Sequence, residues 1–489
     1  MITKIGFVSL GCPKNLVDSE QMLASLVDAG YELVADHNEA DAIVINTCGF
    51  VESAKDESVE VINEAVALKE TANVTRVIAA GCLVQRQRAH LLELCPGIDA
   101  MIGVFDRDHI VDAMQEPPEK EKVPQWIEAN AVLAARARGM QESNGYFEDD
   151  SNRFQLTPRH WAYLRVSEGC NQNCAFCTIP SIRGKMRSKP VEIIVEEAKQ
   201  LLASGVFEFN LIGQDTTSYG EDIGYAQGLV GLLTALNDAV ANSGVGGGVG
   251  GGGWIRLMYA YPNNFTNETM EAMAQLEHVV PYIDIPLQHA SDAMLESMRR
   301  NVSAKAQSDL LNTIRNTIPN VAIRTTMITG FPGETEEDHK QLLDFIQEHK
   351  FEALGVFQYS KEDGTVAGTM EDNAALRVSD DVKQQREEEL MLTQQEIAFS
   401  KAEKAATDGE KHEILIDSYL GETGEGALHL YQCRTKQQAP DVDACTILMS
   451  EKKQTIGSLV RCTITDCDGY DLIARPSDEL EKVVSLPLR

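Results

Sequence analysis

The chain has 489 residues, 43% hydrophobic and 24% charged, with 43 Lys plus Arg against 75 Asp plus Glu and a formal charge of −32. These proportions exclude a mostly disordered or fibrous protein, and the acidity excludes gripping a bare polyanion with the whole surface. The length asks for about three compact units.

Residues 1–130 alternate short apolar runs (Lys4–Leu10, Ala42–Asn46, Arg76–Ala80) with helical patterns. Leu16, Leu23, Leu26 and Val27 recur at helical spacing, and Gly30 stands where a C-cap would. Strand, helix, strand repeated in this way predicts an α/β unit, an N-terminal doubly wound parallel sheet. Residues 131–158 are polar, charged and broken by Gly and Pro, as in a linker. Over 159–400 the alternation resumes, with candidate strands Ala162–Ser167, Glu208–Ile212, Trp254–Ala260, Tyr282–Leu287, Val321–Ile328 and Glu352–Gln358. Six such units predict a central partial (β/α) barrel, with its chemistry at the C-terminal ends of the strands. Val378–Asp408 reads as a helix stopped by Gly409, and 410–489 as a small all-β domain. Gly244–Gly253, with eight Gly in ten residues, follows a helix and precedes a strand, so it reads as a flexible loop rather than a phosphate cradle.

No stretch approaches the roughly 18–20 uncharged apolar residues of a spanning helix, and MITKIGFVSLGCPKN reads as a strand and polar turn rather than a signal segment. The expectation is a cytoplasmic protein with no membrane partner. Eleven cysteines in a reducing compartment then point to metal or redox chemistry before disulfides.

Cys170, Cys174 and Cys177, in CNQNCAFC, follow the first barrel strand. Three thiolates at this spacing can ligate three irons of a 4Fe-4S cluster and leave the fourth open. A zinc knuckle would need a fourth ligand, for which His160 is the candidate. Cys12, Cys48 and Cys82 each follow an apolar run, in SLGC, NTC and AAGC. Parallel strands end on one edge of their sheet, so three cysteines distant in sequence converge on one rim and suggest a second cluster. Cys95, Cys433, Cys445, Cys462 and Cys467 read as small structural hydrophobes.

The CxxxCxxC loop, with Phe176 just before its third Cys, resembles that of the radical S-adenosylmethionine superfamily. That resemblance implies that S-adenosyl-L-methionine chelates the open iron and is cleaved by one electron to methionine and a 5′-deoxyadenosyl radical. Two cysteine trios followed by a small β domain are similar, over nearly the whole chain, to the methylthiotransferases. GCPKNLVDSE, NTCGFVESAKDES, CTIPSIRGKMRS and SKEDGTVA, with Pro13, Lys14, Gly49 and Phe50, are closer to the branch that modifies a ribosomal protein than to its tRNA-modifying relatives. The resemblance implies two 4Fe-4S clusters and a C-terminal TRAM-like domain. It also implies transfer of a methylthio group to the β-carbon of an aspartate in small-subunit ribosomal protein twelve, with an electron donor and a sulfur source of unknown identity. A tRNA adenosine methylthiotransferase is the alternative, and a cluster-bearing electron carrier a third. Residues 410–489 hold nine basic and fourteen acidic residues, so tRNA binding is not expected of them.

Asn210, Gly213, Gln214 and Asp215 end the second barrel strand, where relatives contact the methionine part of the cofactor; Asp215 equally suits a loop cap. Arg324, Thr326, Gly330, Pro332, Gly333 and Glu334 lie on the fifth strand and its loop, whose glycines would let backbone approach the adenosine, with Glu334 equally suited to a helix cap. Gln288 and His289 face the same mouth, His289 as a substrate contact or a structural group. Arg159, Arg165, Arg183, Lys185, Arg187 and Lys189 form a basic excess around the cysteine loop, with Glu168 the only acid close in sequence.

Overall fold

In the first unit, strands β3 (Ala42–Thr47) and β4 (Arg76–Gly81) are buried along their whole length, which explains their nearly unbroken apolar runs. With β1 (Lys4–Ser9), β2 (Glu32–Leu33), β5 (Ala100–Ile102) and β6 (Gln125–Trp126) they form a parallel sheet in the order β2-β1-β3-β4-β5-β6. Helix α1 (Pro13–Asp28) packs Met22 and Leu26 on one face of the sheet, and α2 (Glu52–Thr71) packs Ile62 and Ala65 on the other. Strand order reverses between β1 and β3, so the crevice at their C-terminal ends is the switch point where doubly wound sheets bind ligands. The structure is a computed structural model that describes residues 2–115, 123–128, 150–244, 252–424 and 428–484. Most of the expected 131–158 linker, and 245–251 of the Gly-rich loop, lie outside the described residues.

The second unit is an open, all-parallel sheet of β7 (Trp161–Arg165), β10 (Glu208–Ile212), β11 (Trp254–Leu257), β12 (Val279–Asp284), β13 (Ala322–Thr329) and β14 (Ala353–Gln358), paired in chain order. A two-stranded antiparallel ribbon, β8 (Ser167–Glu168) with β9 (Arg187–Ser188), braces the cysteine loop. Side chains alternate along each strand: Leu164, Phe209, Leu211, Ile255, Ile283 and Ile323 join the apolar layer under the outer helices. The other parity puts Tyr163, Arg165, Arg256, Tyr282 and Arg324 toward the interior. β12 starts three residues before the sequence expectation, because it runs through Pro281. The register with β11 shifts there, as expected where a residue cannot donate to the ladder.

The C-terminal unit is a closed five-stranded barrel of β15 (Lys411–Glu422), β16 (His429–Thr435), β17 (Thr446–Ser450), β18 (Leu459–Asp468) and β19 (Asp471–Pro476), ordered β15-β16-β17-β19-β18. The helix Asp380–Asp408 leads into it, capped by Ser379 and ended at Gly409. This small barrel seats on the N-terminal end of the larger one: Leu415 and Ala439 join Phe207, Trp254, Val280, Tyr282 and Ala322 in one apolar cluster. Arg434 bonds Glu208 at 2.5 Å and Asp417 at 2.7 Å, and Tyr282 donates to Asp443 at 2.8 Å. No helix among the described residues is long and apolar enough to cross a membrane.

Candidate active site

All six cysteines of the two trios line one cavity of about 340 Å³ between the first unit and the C-terminal mouth of the large barrel. The strands explain this convergence. β1, β3 and β4 end side by side, delivering Cys12, Cys48 and Cys82 to one rim, while β7 feeds the loop that carries Cys170, Cys174 and Cys177.

Asn15, in the first turn of α1, ties the N-terminal rim together. Its Nδ2 donates to the carbonyls of Leu10 (3.0 Å) and Thr47 (2.8 Å), and its Oδ1 accepts from Cys82 Sγ (3.3 Å) and Arg183 Nη2 (2.6 Å). Ser58 Oγ accepts from the Cys48 amide at 3.1 Å. Gly49 lets the Cys48 loop press against α3 (Cys82–Gln87): a Cβ there would lie 2.8 Å from the Leu83 Cα. In the other trio, Gly169 (φ +78°) turns the chain beneath Lys185, where a Cβ would strike the Lys185 carbonyl. The loop is pinned by the Ala175 amide on the Met298 carbonyl (3.0 Å) and the Ala367 amide on the Ala175 carbonyl (2.9 Å). Phe176 packs beside Ala175, Met298 and Phe331 and reaches the cavity.

N–H groups point at four of the six sulfurs. Cys170 Sγ accepts from the Gln172 amide (3.4 Å), Cys177 Sγ from the Ile179 amide (3.5 Å), Cys174 Sγ from Arg300 Nη1 (3.4 Å) and Cys82 Sγ from Arg183 Nη2 (3.3 Å). Such donors stabilise cluster-bound thiolates. Without a metal, burial pushes the thiols up, Cys82 and Cys177 to about 12 and Cys170 to about 11, so metal binding has to release protons. Among the described residues no three His, Cys, Asp or Glu side chains are grouped to share a single ion. A cluster in which each thiolate holds a different iron does not ask three groups to share one ion, and the two cysteine trios on this cavity supply the thiol donors that two such clusters would need. His160, the fourth ligand a zinc knuckle would need, instead bonds Asp417 at 2.8 Å, at the small-barrel contact.

Three of the basic residues around the loop, Arg165, Arg183 and Lys189, are neutralised by Glu168 together with acids that the sequence reading did not bring near, Asp18, Asp150 and Glu197. Arg183 pairs with Asp18 (3.0 Å) and Glu168 (2.9 Å), and Arg165 with Asp18 (2.6 Å), Glu168 (2.9 Å) and Asp150. Lys189 pairs with Asp150 and with Glu197 (3.0 Å). Burial alone would raise the Glu168 carboxyl, but Arg183 and Arg165 outweigh it and hold it well below the carboxylate range. Asp18 lies on α1, so this buried network fastens one trio to the other. Glu362, from SKEDGTVA, adds a second clamp by pairing with Lys55 (3.2 Å) and Arg86 (2.8 Å) of the first unit.

Gln214 lines the cavity, with Nε2 on Glu168 (2.6 Å) and a buried Oε1 that has no partner. Asp215 accepts from Gln172, Thr217 and Ser218, closing its own loop. Arg324 lies between Asp284 (2.7 Å) and Asp443 (3.6 Å), and neither it nor Thr326, Gly330 or Gly333 is on the cavity wall. Glu334 caps the Gly330–Phe331 amides and pairs with Arg386. His289 Nδ1 accepts from the amides of Ala290 (2.9 Å) and Ser291 (3.0 Å), a structural role, and burial pushes it down to about 3.

Sequence reasoning missed Tyr259, Tyr261 and Arg300 on the wall, and gave Lys14 no role. Arg300 lies over the Tyr261 ring at 4.4 Å, and Lys14 over the Tyr259 ring at 3.0 Å; burial pushes the Lys14 ammonium down to about 8. Tyr259 (φ 59°) and Gln288 (φ 77°), both on the wall, hold a left-handed backbone that costs non-glycine residues energy and concentrates at functional sites. The paired tyrosines of YAYP after β11 were the available signal.

Three family models match the three units: the family described as uncharacterized protein family UPF0004 over residues 4–103, the radical SAM superfamily over 164–346, and the TRAM domain over 409–476. The fold is similar to that of the radical S-adenosylmethionine methyltransferase TsrM from Kitasatospora setae, a structure with cobalamin and a [4Fe-4S] cluster bound. The TM-score is 0.51 at 13% identity, covering 78% of this chain and 80% of that one, a likeness of fold alone. Relatives called ribosomal protein uS12 methylthiotransferase RimO are similar over nearly everything. The one from Geotalea uraniireducens is 39% identical, covering 96% of this chain and 97% of its own, and the one from Clostridium botulinum is 40% identical, covering 97% and 98%. The chain therefore belongs to the RimO family of radical S-adenosylmethionine methylthiotransferases.

Proposed function

We propose that this enzyme attaches a methylthio group to the β-carbon of an aspartate in ribosomal protein uS12, using two 4Fe-4S clusters. The observation that carries the reading is the opening of two cysteine trios, from separate units, into one cavity. Cys170, Cys174 and Cys177 would hold the cluster that binds S-adenosyl-L-methionine, and Cys12, Cys48 and Cys82 the cluster that carries sulfur. When bound, these groups supply the hydrogen-abstracting power and the transferable sulfur that amino-acid side chains lack.

The chain's own residues hold, orient and shield. Arg183 and Arg300 donate to the Cys82 and Cys174 sulfurs that would hold the clusters, and Asp18, Glu168 and the Pro286 carbonyl anchor them in those positions. Gln214 offers its free Oε1 to the amine of the cofactor, with Asp215 holding the loop beneath. Phe176, Tyr259 and Tyr261 present apolar faces that exclude water from a site where a reactive carbon has to meet only its target. Arg324, Thr326, Gly330 and Gly333, on β13 and its loop, would contribute to binding the cofactor on its adenosine side. The unit boundaries that serve the function are 1–130, 159–400 and 410–489.

The acidity of the C-terminal unit favours a basic protein partner over tRNA. The test is mass spectrometry of ribosomal protein uS12 and of tRNA from cells lacking this chain. Loss of the methylthio mass from the protein, with tRNA unchanged, is the expected result; loss from tRNA alone transfers the assignment to adenosine.

A further inference from the structure

Three cations stand on the cavity wall: Lys14, Arg183 and Arg300. Arg183 is fully engaged with Asp18, Glu168, Asn15 and Cys82, and Arg300 spends both terminal nitrogens on Cys174 and the Pro286 carbonyl. Lys14 differs. Its side chain makes no hydrogen bond or ion pair with any described residue, although the residue is only 5% exposed. The ammonium lies 3.0 Å from the centre of the Tyr259 ring, a contact that supplies attraction but uses no acceptor. An ammonium whose residue is otherwise shut away and whose three donors open only on the cavity is ready to take an anion that enters there.

Its place in the fold says which anion. Lys14 follows Cys12 by two residues in the first turn of α1, so the positive end of the helix adds to its charge. It belongs to the N-terminal, sulfur-carrying rim, yet faces Tyr259, which continues from β11 of the barrel. An anion held there lies between the two trios. On the other rim, Gln214 already offers its unpartnered Oε1 to the cofactor.

We propose that Lys14 is the receptor for the side-chain carboxylate of the target aspartate, selecting an acidic side chain and holding its β-methylene between the trios. This rests on the proposed function. A carboxylate satisfies the ammonium with charge-assisted hydrogen bonds, and the carbon to be modified is the one bonded to that carboxylate, so fixing one fixes the other. A carboxamide of the same shape gives hydrogen bonds without the charge.

The experiment compares ribosomal protein uS12 with its variant carrying Asn at the target position, binding to reconstituted full-length enzyme by fluorescence anisotropy. Wild-type enzyme binds the Asp form about tenfold more tightly. Lys14→Met binds both at the weaker level, Lys14→Arg keeps the preference, and in both variants iron content and affinity for S-adenosyl-L-methionine match wild type. The proposal is overturned if wild type binds the two forms alike, or if Lys14→Met keeps the preference. Weakened cofactor binding in Lys14→Met with an intact preference makes Lys14 a cofactor contact instead. Should Lys14→Met lose iron, Lys14→Gln carries the same test, and loss of iron in both assigns Lys14 to the cluster and ends the proposal. If wild type neither binds nor modifies the ribosomal protein in any form, it is the substrate reading that falls, and this proposal with it.

Discussion

Cys170, Cys174 and Cys177 occupy eight consecutive residues, whereas Cys12, Cys48 and Cys82 are gathered from three turns spread over about seventy residues. The first trio is made by one loop, pinned at a few points by Gly169, Met298 and Ala367. The second exists only when β1, β3 and β4 are in register and α1 has brought Asn15 into place. A site built from one loop tolerates change in distant elements. One built across a sheet inherits the stability of the whole sheet and forms only after non-local pairing.

The sharpest test removes each trio in turn. Anaerobically reconstituted enzyme should hold about eight irons, and Ala at Cys170, Cys174 and Cys177 should leave about four. Ala at Cys12, Cys48 and Cys82 should also leave about four, and only this second variant should still cleave S-adenosyl-L-methionine to 5′-deoxyadenosine. Methylthiolated product from it would remove the sulfur-carrying role of the N-terminal rim.

The next test strikes the link between the trios. Asp18→Ala removes a carboxylate, itself 2% exposed, that Arg165, Arg183 and Arg107 share, leaving Glu168 to serve both Arg165 and Arg183, and should cost about 3 kcal/mol by urea unfolding. Coupling of cofactor cleavage to methylthio transfer should fall further than cleavage itself. An unchanged unfolding midpoint would mean that Glu168 and Asp150 alone satisfy the arginines.

Two alanine substitutions sharpen the contrast on a smaller scale, each costing about 1–3 kcal/mol. Gly49→Ala should wedge the Cys48 loop from α3 and lower iron at the N-terminal rim alone. Gly169→Ala should lower it at the other rim alone, as read by iron content and electron paramagnetic resonance of each cluster.

The smallest effect is a pH dependence confined to the barrel. His289 is held neutral, with its folded value near 3 against about 6.5 when unfolded, so below pH 6.5 the unfolded chain takes up a proton that the folded chain refuses. Stability from this group is full above pH 6.5 and is lost as pH falls toward 3, with about 1 kcal/mol gone between pH 6.5 and 5.5. His289→Asn should flatten that part of the stability profile, and an unaltered slope would refute the assignment.

The same contrast decides what could be read from the sequence. CNQNCAFC announces itself because a loop's chemistry is written contiguously. The N-terminal trio was legible only through the inference that parallel strands end together, an inference needing the strands but not their order. β2, β5 and β6 have two or three residues each, too few for a periodic signal, and so escaped notice. Basic residues near the loop looked unpaired because Asp18 and Asp150 are close only in space. Lys14 is visible in the sequence as part of GCPKN, but its isolation on a ring face is a property of what fails to surround it, which no spacing encodes.

The turn from Lys436 to Asp443 enters the N-terminal end of the large barrel, where the Lys436 carbonyl accepts from Arg256 and Asp443 meets Tyr282 and Arg324. The small barrel is therefore a stopper, whatever it also does in the proposed recognition of a protein partner. Anyone transplanting this module between relatives to redirect substrate choice has to carry Asp417, Arg434 and Asp443 across with it, or refit Glu208, Arg256 and Arg324 in the recipient. A graft that ignores the stopper leaves charged groups in an open shaft that reaches, through Arg324, Asp284 and the Tyr259 amide, to the wall of the reaction cavity.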